Sequence, residues 1–182
     1  MKFILEYLKH PRTVGAIAPS GKRLAKKMMA PIDFKKAEVI VEYGPGTGVF
    51  TREIIKNRRK ETTVILIEQN KDFVNILKEL FANEENVHII NGSAEEAHVY
   101  IQKLGYETVD YVVSGLPFTS LPVDISNQIL QVTKNIIGKE GRFITFQYTL
   151  VKRGYFEKFF KIHGVYREWL NLPPAYVFEM RN

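Results

Sequence analysis

Val39-Ile40-Val41-Glu42-Tyr43-Gly44-Pro45-Gly46-Thr47-Gly48 is the stretch from which the architecture of this chain follows. A β-branched apolar run ends in an acidic residue, and a turn with glycine at every second position precedes amphipathic sequence that begins at Phe50. This order predicts a strand, a glycine turn and a helix. Glycine has no Cβ, so a ligand can lie against the turn and face the N–H groups of the helix start. Glu42 favours a ligand with a positive charge or hydroxyl groups over a phosphate.

Spacing separates this turn from two phosphate-binding turns. A dinucleotide-binding turn has the pattern G-x-G-x-x-G, whereas here G-x-G-x-G is followed by Val49 and Phe50. A Walker loop ends in Gly-Lys-Ser or Gly-Lys-Thr, which is absent from this turn. The turn instead resembles the first motif of class I S-adenosylmethionine (SAM) methyltransferases. The alternative is a tight structural turn without a ligand.

The composition predicts a single globular domain over residues 1–182. With 45% hydrophobic and 25% charged residues, the 182-residue chain can bury one substantial core. No apolar run approaches the roughly 18 residues that a membrane span needs. The absence of cysteine excludes disulfides and thiolate chemistry and suits a reducing cytoplasm. We expect no metal site, because the four histidines stand apart without ligand spacing: His10, His88, His98 and His163.

Positive charge is concentrated at the N-terminal end of the chain. The net charge is +6, but residues 1–36 hold nine basic and two acidic residues, or +7, which leaves −1 for residues 37–182. This asymmetry favours a polyanionic partner, either nucleic acid or an anionic membrane surface. A solvated lysine-rich face is the alternative.

Two amphipathic helices are predicted in this basic segment, one over residues 2–9 and one that Ser20 caps and Pro31 ends. The basic side of the second helix comprises Lys22, Arg23, Lys26 and Lys27. We expect the two helices to form a lid over the core, and a basic and apolar face of this kind can lie in a bilayer interface. The alternative, favoured for the second helix, is that the apolar faces pack on the domain.

From Glu38 onward, strand and helix patterns alternate, which predicts an α/β fold with helices on both faces of a mixed sheet. Strands are predicted at about 38–43, 62–68, 87–90, 108–114, 141–148, 164–170 and 175–180. Helices are predicted at about 48–58, 70–82, 93–104, 123–137 and 152–161. Seven strands with a terminal hairpin fit the Rossmann-like fold of class I methyltransferases, with a core over residues 37–182 below the helical lid.

Ligands of open α/β sheets bind outside the carboxyl ends of the strands, so the residues that follow strands two and three are candidates. Glu68, beside Gln69, lies 20 residues beyond Gly48, the distance at which an acid reaches a ribose. Its alternative role is a helix-capping or surface acid. Strand three runs into Gly92-Ser93-Ala94, where related methyltransferases often have Gly-Asp-Ala and bind adenine. Ser93 can accept a similar bond, or it can cap a helix with Glu96 as its capping-box partner.

Strand four ends in Ser114-Gly115-Leu116-Pro117-Phe118. This segment resembles the Asn/Asp-x-Pro-aromatic motif of amino-directed methyltransferases, which holds the nucleophile by a side-chain and a backbone carbonyl and stacks a planar base on the ring. Gly115 takes the polar position, so only backbone carbonyls remain to orient an amine. The alternative is a proline-bearing strand exit with Phe118 in the core.

The chain as a whole resembles the bacterial phospholipid N-methyltransferases, which methylate phosphatidylethanolamine. The shared segments are residues 16–20, 41–51, 113–117, 146–148 and 171–175, among which Ser-Gly-Leu-Pro and Asn-Leu-Pro-Pro-Ala are the most specific. The related rRNA adenine dimethyltransferases are the second hypothesis, although they usually carry Asn-Leu-Pro-Tyr/Phe at strand four and a helical RNA-binding domain beyond the last strand. The third is a SAM-binding or RNA-binding protein without turnover, given Ser93 and Gly115.

The phospholipid resemblance implies a cytoplasmic enzyme, peripheral on the inner face of the membrane, that uses SAM and no metal. It implies that the methionine part is held by Glu42, Gly44, Gly46, Thr47 and Gly48, the ribose by Glu68, and the adenine by Gly92, Ser93 and Ala94, with Tyr43 and Gln69 as further cofactor-binding residues. It implies a catalytic bend of Ser114, Gly115, Leu116, Pro117 and Phe118. Phe118 and Tyr148 would form walls, and anionic headgroups would be attracted by Lys22, Arg23 and Lys26.

Overall fold

The computed structural model describes residues 19–171 and 173–182, and their elements follow the predicted alternation. The helices are α1 (Pro19–Met29), α2 (Val49–Asn57), α3 (Lys71–Leu80), α4 (Ala97–Lys103, after a 3₁₀ turn at Ala94–Glu96), α5 (Val123–Ile136) and α6 (Arg153–Phe156). The strands are β1 (Val39–Tyr43), β2 (Thr63–Glu68), β3 (Val87–Asn91), β4 (Val109–Ser114), β5 (Ile137–Gln147), β6 (Lys161–Glu168) and β7 (Ala175–Arg181). Among these residues, no helix is both long and apolar enough to span a bilayer.

The seven strands form one sheet in the order β3-β2-β1-β4-β5-β7-β6. The first five in this order run parallel, and β7 is antiparallel to both β5 and β6. The chain order reverses between β1 and β4, so the carboxyl ends of these neighbouring strands open toward a crevice. The predicted seven-stranded mixed sheet is confirmed.

Helices cover both faces of this sheet, as predicted, and each face has its own apolar core. Val39, Val41 and Tyr43 of β1 point to the face covered by α4 and α5. Ile40 points to the opposite face, where α1, α2 and α3 pack. Strands buried on both faces have near-continuous apolar sequences, which is why β1 and β2 could be recognised from sequence.

Helix α1 packs on the domain through its apolar side, which is the alternative favoured above for this helix. Leu24, Ala25, Met28 and Met29 are buried, whereas Lys22, Arg23 and Lys26 are exposed. The helix begins at Pro19, so the predicted cap residue Ser20 lies within its first turn instead of preceding it. The predicted helix over residues 2–9 lies outside the described residues.

Three predicted elements near the C-terminal end of the chain have wrong boundaries, including the strand predicted at 164–170, which is β6 and runs from Lys161 to Glu168. The helix expected at 152–161 is limited to α6, because β6 begins at Lys161, where it pairs with Arg181 at the end of β7. Strand β5 begins at Ile137, not at residue 141, since Ile137 pairs with Val109 before a register shift in β4. In each case, pairing with a distant strand overrides the local pattern.

Candidate functional site

The ends of β1, β2 and β4 meet at one edge of the sheet, and backbone hydrogen bonds join the segments that follow them. In register, Tyr43 lies opposite Ile67 of β2 and Ser114 of β4. The Gly44 N–H donates to the Ile67 carbonyl at 3.0 Å, and the Gly115 N–H donates to the Tyr43 carbonyl at 2.9 Å. The glycine turn and the Ser-Gly-Leu-Pro bend are therefore held side by side.

The glycine turn requires its glycines, and one of them faces open space. Gly44, Gly46 and Gly48 have φ of 64°, 56° and 80°, in the left-handed region that other residues rarely adopt. A Cβ on Gly48 would contact Leu77 and Phe81, whereas no atom of the other described residues lies within 4 Å of the position of a Cβ on Gly46. The backbone at Gly46 is therefore open to a ligand.

Glu42 is a fully buried carboxyl at the end of β1. Its Oε2 accepts a hydrogen bond of 2.7 Å from the Thr51 hydroxyl, whereas Oε1 has no partner among the described residues. The pKa of Glu42 is raised from 4.5 to about 8, chiefly because burial disfavours the charged form; the Thr51 hydrogen bond lowers the pKa in part, and the nearby Glu68 contributes to the rise. A buried acceptor without a partner fits a cationic group of a ligand.

Glu68 ends β2 and shapes the turn from the other side. Its Oε2 accepts from the Gly46 N–H at 3.0 Å, and its Oε1 accepts from the Asn70 N–H at 2.9 Å. A carboxylate has about four acceptor positions, so each oxygen retains capacity for a ligand hydroxyl. Because two acidic side chains flank the glycine turn, the site suits a ligand that is cationic and rich in hydroxyl groups.

The residues after β2 and β3 lie at the same edge. Gln69 is exposed, and the Gly92 N–H donates to the Glu68 carbonyl at 3.0 Å. Ser93 caps the 3₁₀ turn, since its side chain accepts from the Glu95 N–H at 3.3 Å, while Ala94 is buried.

The predicted capping box at Ser93 is wrong. The Ser93 hydroxyl donates to the Glu95 carboxylate at 2.7 Å, whereas the Glu96 carboxylate accepts from the Tyr100 hydroxyl at 2.5 Å. In a 3₁₀ turn, the acidic side chain that bonds to the cap residue comes from one position earlier in the sequence than in an α-helix, here Glu95 instead of Glu96.

The absence of a side chain at Gly115 has a steric cause. A Cβ there would lie 2.9 Å from the Gly44 carbonyl oxygen, closer than real Cβ atoms approach, and Leu116 fills the space where a Gly44 side chain would be. An asparagine or aspartate at this position would force the glycine turn away from the strand. The two glycines are required together.

Most backbone carbonyls of the bend are already used by the protein. The Ser114 carbonyl accepts from the Thr145 hydroxyl, and the Leu116 carbonyl accepts from the Gln147 side chain and from the Phe118 N–H. The Pro117 carbonyl accepts from two N–H groups of the turn that follows. The Gly115 carbonyl is the acceptor we retain for an incoming amine.

Two side chains expected at the site point into the core instead. Phe118 is fully buried and packs edge to face on Phe143 and Phe156. The Tyr43 hydroxyl accepts a hydrogen bond from Thr133 on the α5 face at 3.3 Å. Phe118 therefore lies in the core, which is the alternative given for it from the sequence, and the Tyr43 side chain points away from the glycine turn because a residue at the strand end points to one face by parity.

An aromatic row lies beside the bend and joins Tyr148, expected at the site, to Phe50 and Phe146, which the sequence analysis did not assign to it. Phe50 and Phe146 meet edge to face at 5.7 Å between ring centroids, and Phe146 meets Tyr148 at 5.5 Å. The Phe50 ring lies 3.8 Å from the Cβ position of Gly115. The period-two spacing of Phe146 and Tyr148 at the end of β5 was the available signal.

A cavity of about 270 Å³ opens elsewhere, between α4 and α5, and is lined by His98, Gln102, Glu107 and Asn135. Glu107 precedes β4 and Asn135 precedes β5, so this cavity lies at the amino edge of the sheet. It is separate from the glycine turn.

The sheet order, the glycine turn at the end of β1 and the acidic residue at the end of β2 define a class I SAM-dependent methyltransferase. The crystal structure of a SAM-dependent methyltransferase from Aquifex aeolicus superposes with a TM-score of 0.71 over 94% of this chain and 96% of that chain. At 14% identity, this likeness shows the fold.

Sequence relatives define the family more closely. A family model described as ribosomal RNA adenine dimethylase matches residues 20–162. An ornithine lipid N-methyltransferase from Singulisphaera acidiphila is 33% identical over 95% of this chain and 91% of that protein. A ribosomal RNA small subunit methyltransferase A from Mycoplasma capricolum is 34% identical over 54% of this chain and 36% of that protein. The chain belongs to the ribosomal RNA adenine dimethylase family and, within it, to the bacterial lipid N-methyltransferases, and it is a SAM-dependent N-methyltransferase.

Proposed function

We propose that this enzyme transfers a methyl group from SAM to a headgroup amine of a membrane lipid, with ornithine lipid and phosphatidylethanolamine as the acceptors to be tested. The observation that carries the proposal is the similarity to the ornithine lipid enzyme over nearly the full length of both chains. The rRNA methyltransferase from M. capricolum aligns over about half of this chain.

The geometry of the bend supports an aliphatic amine over a flat base. Enzymes that methylate adenine hold it with a side-chain carbonyl and an aromatic ring, and this chain offers neither at the expected positions. Gly115 admits no side chain because of the Gly44 carbonyl, and Phe118 is in the core. One backbone carbonyl and the row of Phe50, Phe146 and Tyr148 remain, which suits a small, flexible amine.

The residues at the strand ends fit SAM, which supplies a methyl group on a sulfonium as the electrophile. The free Oε1 of Glu42 would accept from the α-ammonium, and the open backbone at Gly46 would lie along the methionine part. Glu68 would accept from the ribose hydroxyls with its remaining lone pairs. The two acidic side chains, Glu42 and Glu68, would thus hold the ammonium and the hydroxyl groups of the cofactor.

The protein's role toward the acceptor is to present a neutral amine in line with the methyl group. An alkyl ammonium has a pKa of about 10 and must lose a proton before its nitrogen lone pair can attack. The apolar wall of Phe50 and Phe146 disfavours the charged form by desolvation. The Gly115 carbonyl would accept one N–H and direct the lone pair toward the methyl group.

Charge on α1 supports approach to a membrane. Lys22, Arg23 and Lys26 are exposed, and each can contribute about 1 kcal/mol at an anionic surface. Lys27 differs from these three, because its Nζ donates to the Arg167 carbonyl at 3.1 Å and pairs with Glu168 at 3.5 Å. We therefore assign Lys27 to packing of α1 on β6. Because Lys22, Arg23 and Lys26 remain available to an anionic surface, we propose a peripheral, cytoplasmic location for the enzyme.

Methyl transfer from labelled SAM would test the proposal with three acceptors in parallel: vesicles containing ornithine lipid, vesicles containing phosphatidylethanolamine, and ribosomal RNA. We expect label in a lipid fraction. Glu68→Ala should lower the rate, whereas Glu61→Ala, a change at an exposed acid before β2, should not. Label in RNA with none in lipid would refute the lipid proposal and leave the methyltransferase assignment intact.

A further inference from the structure

The exposed apolar residues of the described chain are concentrated at the edge of the sheet that carries the site. Seven large apolar side chains are exposed, and five of them follow the carboxyl ends of β4, β5 and β6: Val123, Leu150, Val151, Trp169 and Leu170. Single exposed apolar residues are common, but a group at one edge indicates an interaction surface. We name Leu150, Val151, Trp169 and Leu170 the apolar rim.

Strand register places the two halves of the rim close together. Gln147, at the end of β5, lies opposite Tyr176 of β7, and Tyr176 lies opposite Arg167 near the end of β6. Neighbouring strands are about 4.8 Å apart, so the ends of β5 and β6 are separated by roughly 10 Å. The loops that carry Val151 and Trp169 therefore leave the sheet side by side.

The Trp169 loop is held in its exposed position by specific contacts. The Arg167 guanidinium lies 3.5 Å from the Trp169 ring centroid and 5.2 Å from that of Tyr176. The Leu170 N–H donates to Glu168 at 3.1 Å, and the Asn171 side chain donates to the Pro173 carbonyl at 2.7 Å. Trp169 and Leu170 nevertheless remain 65% and 63% exposed. The loop presents them outward.

Basic residues border the apolar rim. Val151, 83% exposed, is followed by Lys152 and Arg153, and Arg167 stands beside Trp169. Apolar side chains with basic neighbours match the boundary between acyl chains and anionic headgroups, where tryptophan is also favoured. A nucleic acid would form ion pairs with the basic side chains but would leave the exposed aliphatic side chains in water.

We propose that the apolar rim inserts into the interface of an anionic bilayer and so places the mouth of the site at the headgroups. This inference rests on the proposed lipid substrate, since a surface-bound amine must be reached from the membrane side. It assigns membrane contact to the loops after β5 and β6, in addition to the basic face of α1.

The single tryptophan of the sequence is Trp169, so its fluorescence reports on the rim alone. The full-length protein would be mixed with vesicles of phosphatidylcholine and phosphatidylglycerol, which contain no acceptor amine. We expect a blue shift of the emission and quenching by lipids brominated on their acyl chains. Leu150→Ser with Val151→Ser should weaken vesicle binding at least about tenfold. The matched control is Leu80→Ser, because Leu80 is 45% exposed at the end of α3, which connects β2 to β3 at the other end of the strand order from β5 and β6.

Failure of this inference and failure of the proposed function give different results. If tryptophan emission does not change when vesicles are added, but detergent-solubilised lipid is methylated, membrane insertion of the apolar rim is refuted and the lipid substrate is supported. A blue shift with brominated-lipid quenching but no lipid methylation would support the rim and refute the substrate. Equal loss of binding in Leu80→Ser and in the rim variant would overturn the rim, because general loss of apolar surface would explain both.

Discussion

Replacement of Glu42 by glutamine should change the pH dependence of stability in a predictable direction. The folded state raises the pKa of Glu42 from 4.5 to about 8, so it binds the proton more tightly than the unfolded chain does. The stabilisation is complete below the unfolded pKa and is lost as pH rises through the folded pKa. Between about pH 5 and pH 8 the free energy of unfolding should therefore fall by at most about 1.4 kcal/mol per pH unit from this group, or on the order of 4 kcal/mol in total.

Urea unfolding at a series of pH values measures this slope. Glu42→Gln keeps the shape of the side chain and a hydrogen-bonding group toward Thr51 but cannot ionise, so its slope should be smaller than that of the natural protein. Glu38→Gln is the matched control, since Glu38 is an exposed acid just before β1. Equal slopes for the natural protein and Glu42→Gln would refute the buried, protonated state of Glu42.

The same carboxyl should couple SAM binding to proton release. If the α-ammonium of SAM lies at the free Oε1 of Glu42, its charge lowers the pKa of the carboxyl, and binding at about pH 7 releases up to one proton. Calorimetry in two buffers of different ionisation enthalpy measures this number. Glu42→Gln should abolish the release, and unchanged release in that variant would place the ammonium elsewhere.

Three further substitutions test other parts of the site and surface. Glu68→Ala removes the acceptor for the Gly46 and Asn70 N–H groups, so SAM affinity by calorimetry should fall at least about tenfold; an unchanged affinity would exclude Glu68 from the site. Gly115→Ala should lower the free energy of unfolding in urea by about 1–3 kcal/mol and slow methyl transfer, because its Cβ would lie 2.9 Å from the Gly44 carbonyl oxygen. Gly154→Ala is the control, since no other described atom lies within 4 Å of its Cβ position. Equal effects of the two substitutions would contradict the steric reason. Replacement of Lys22, Arg23 or Lys26 of α1 by glutamine should weaken sedimentation with anionic vesicles by roughly fivefold per charge and reduce the dependence of binding on salt. Unchanged sedimentation would refute the role of this basic face.

Much of the fold could be predicted because it depends on local patterns. Strands buried on both faces are continuous apolar runs, and left-handed turns require glycine, so β1 and the turn after it were recognisable from the sequence. The boundaries of β5 and β6 were not, since they depend on pairing with Val109 and Arg181, far away in the chain. Local pattern carries no information on such pairing.

Some features of the candidate site were likewise predictable from the sequence, and others depend on the fold. Residue types and their spacing at the strand ends established the class of ligand, because an acid after β1, a glycine turn and an acid after β2 are contiguous signals of a cationic, hydroxyl-bearing molecule. Which groups remain available to that ligand depends on partners distant in the chain. Thr145 and Gln147 donate to two carbonyls of the bend, and Phe118 packs on Phe143 and Phe156 in the core, whereas Glu42 Oε1 has no partner in the described part of the chain. Hydrogen bonds and packing are satisfied between elements brought together by folding, so the chain order alone does not reveal them.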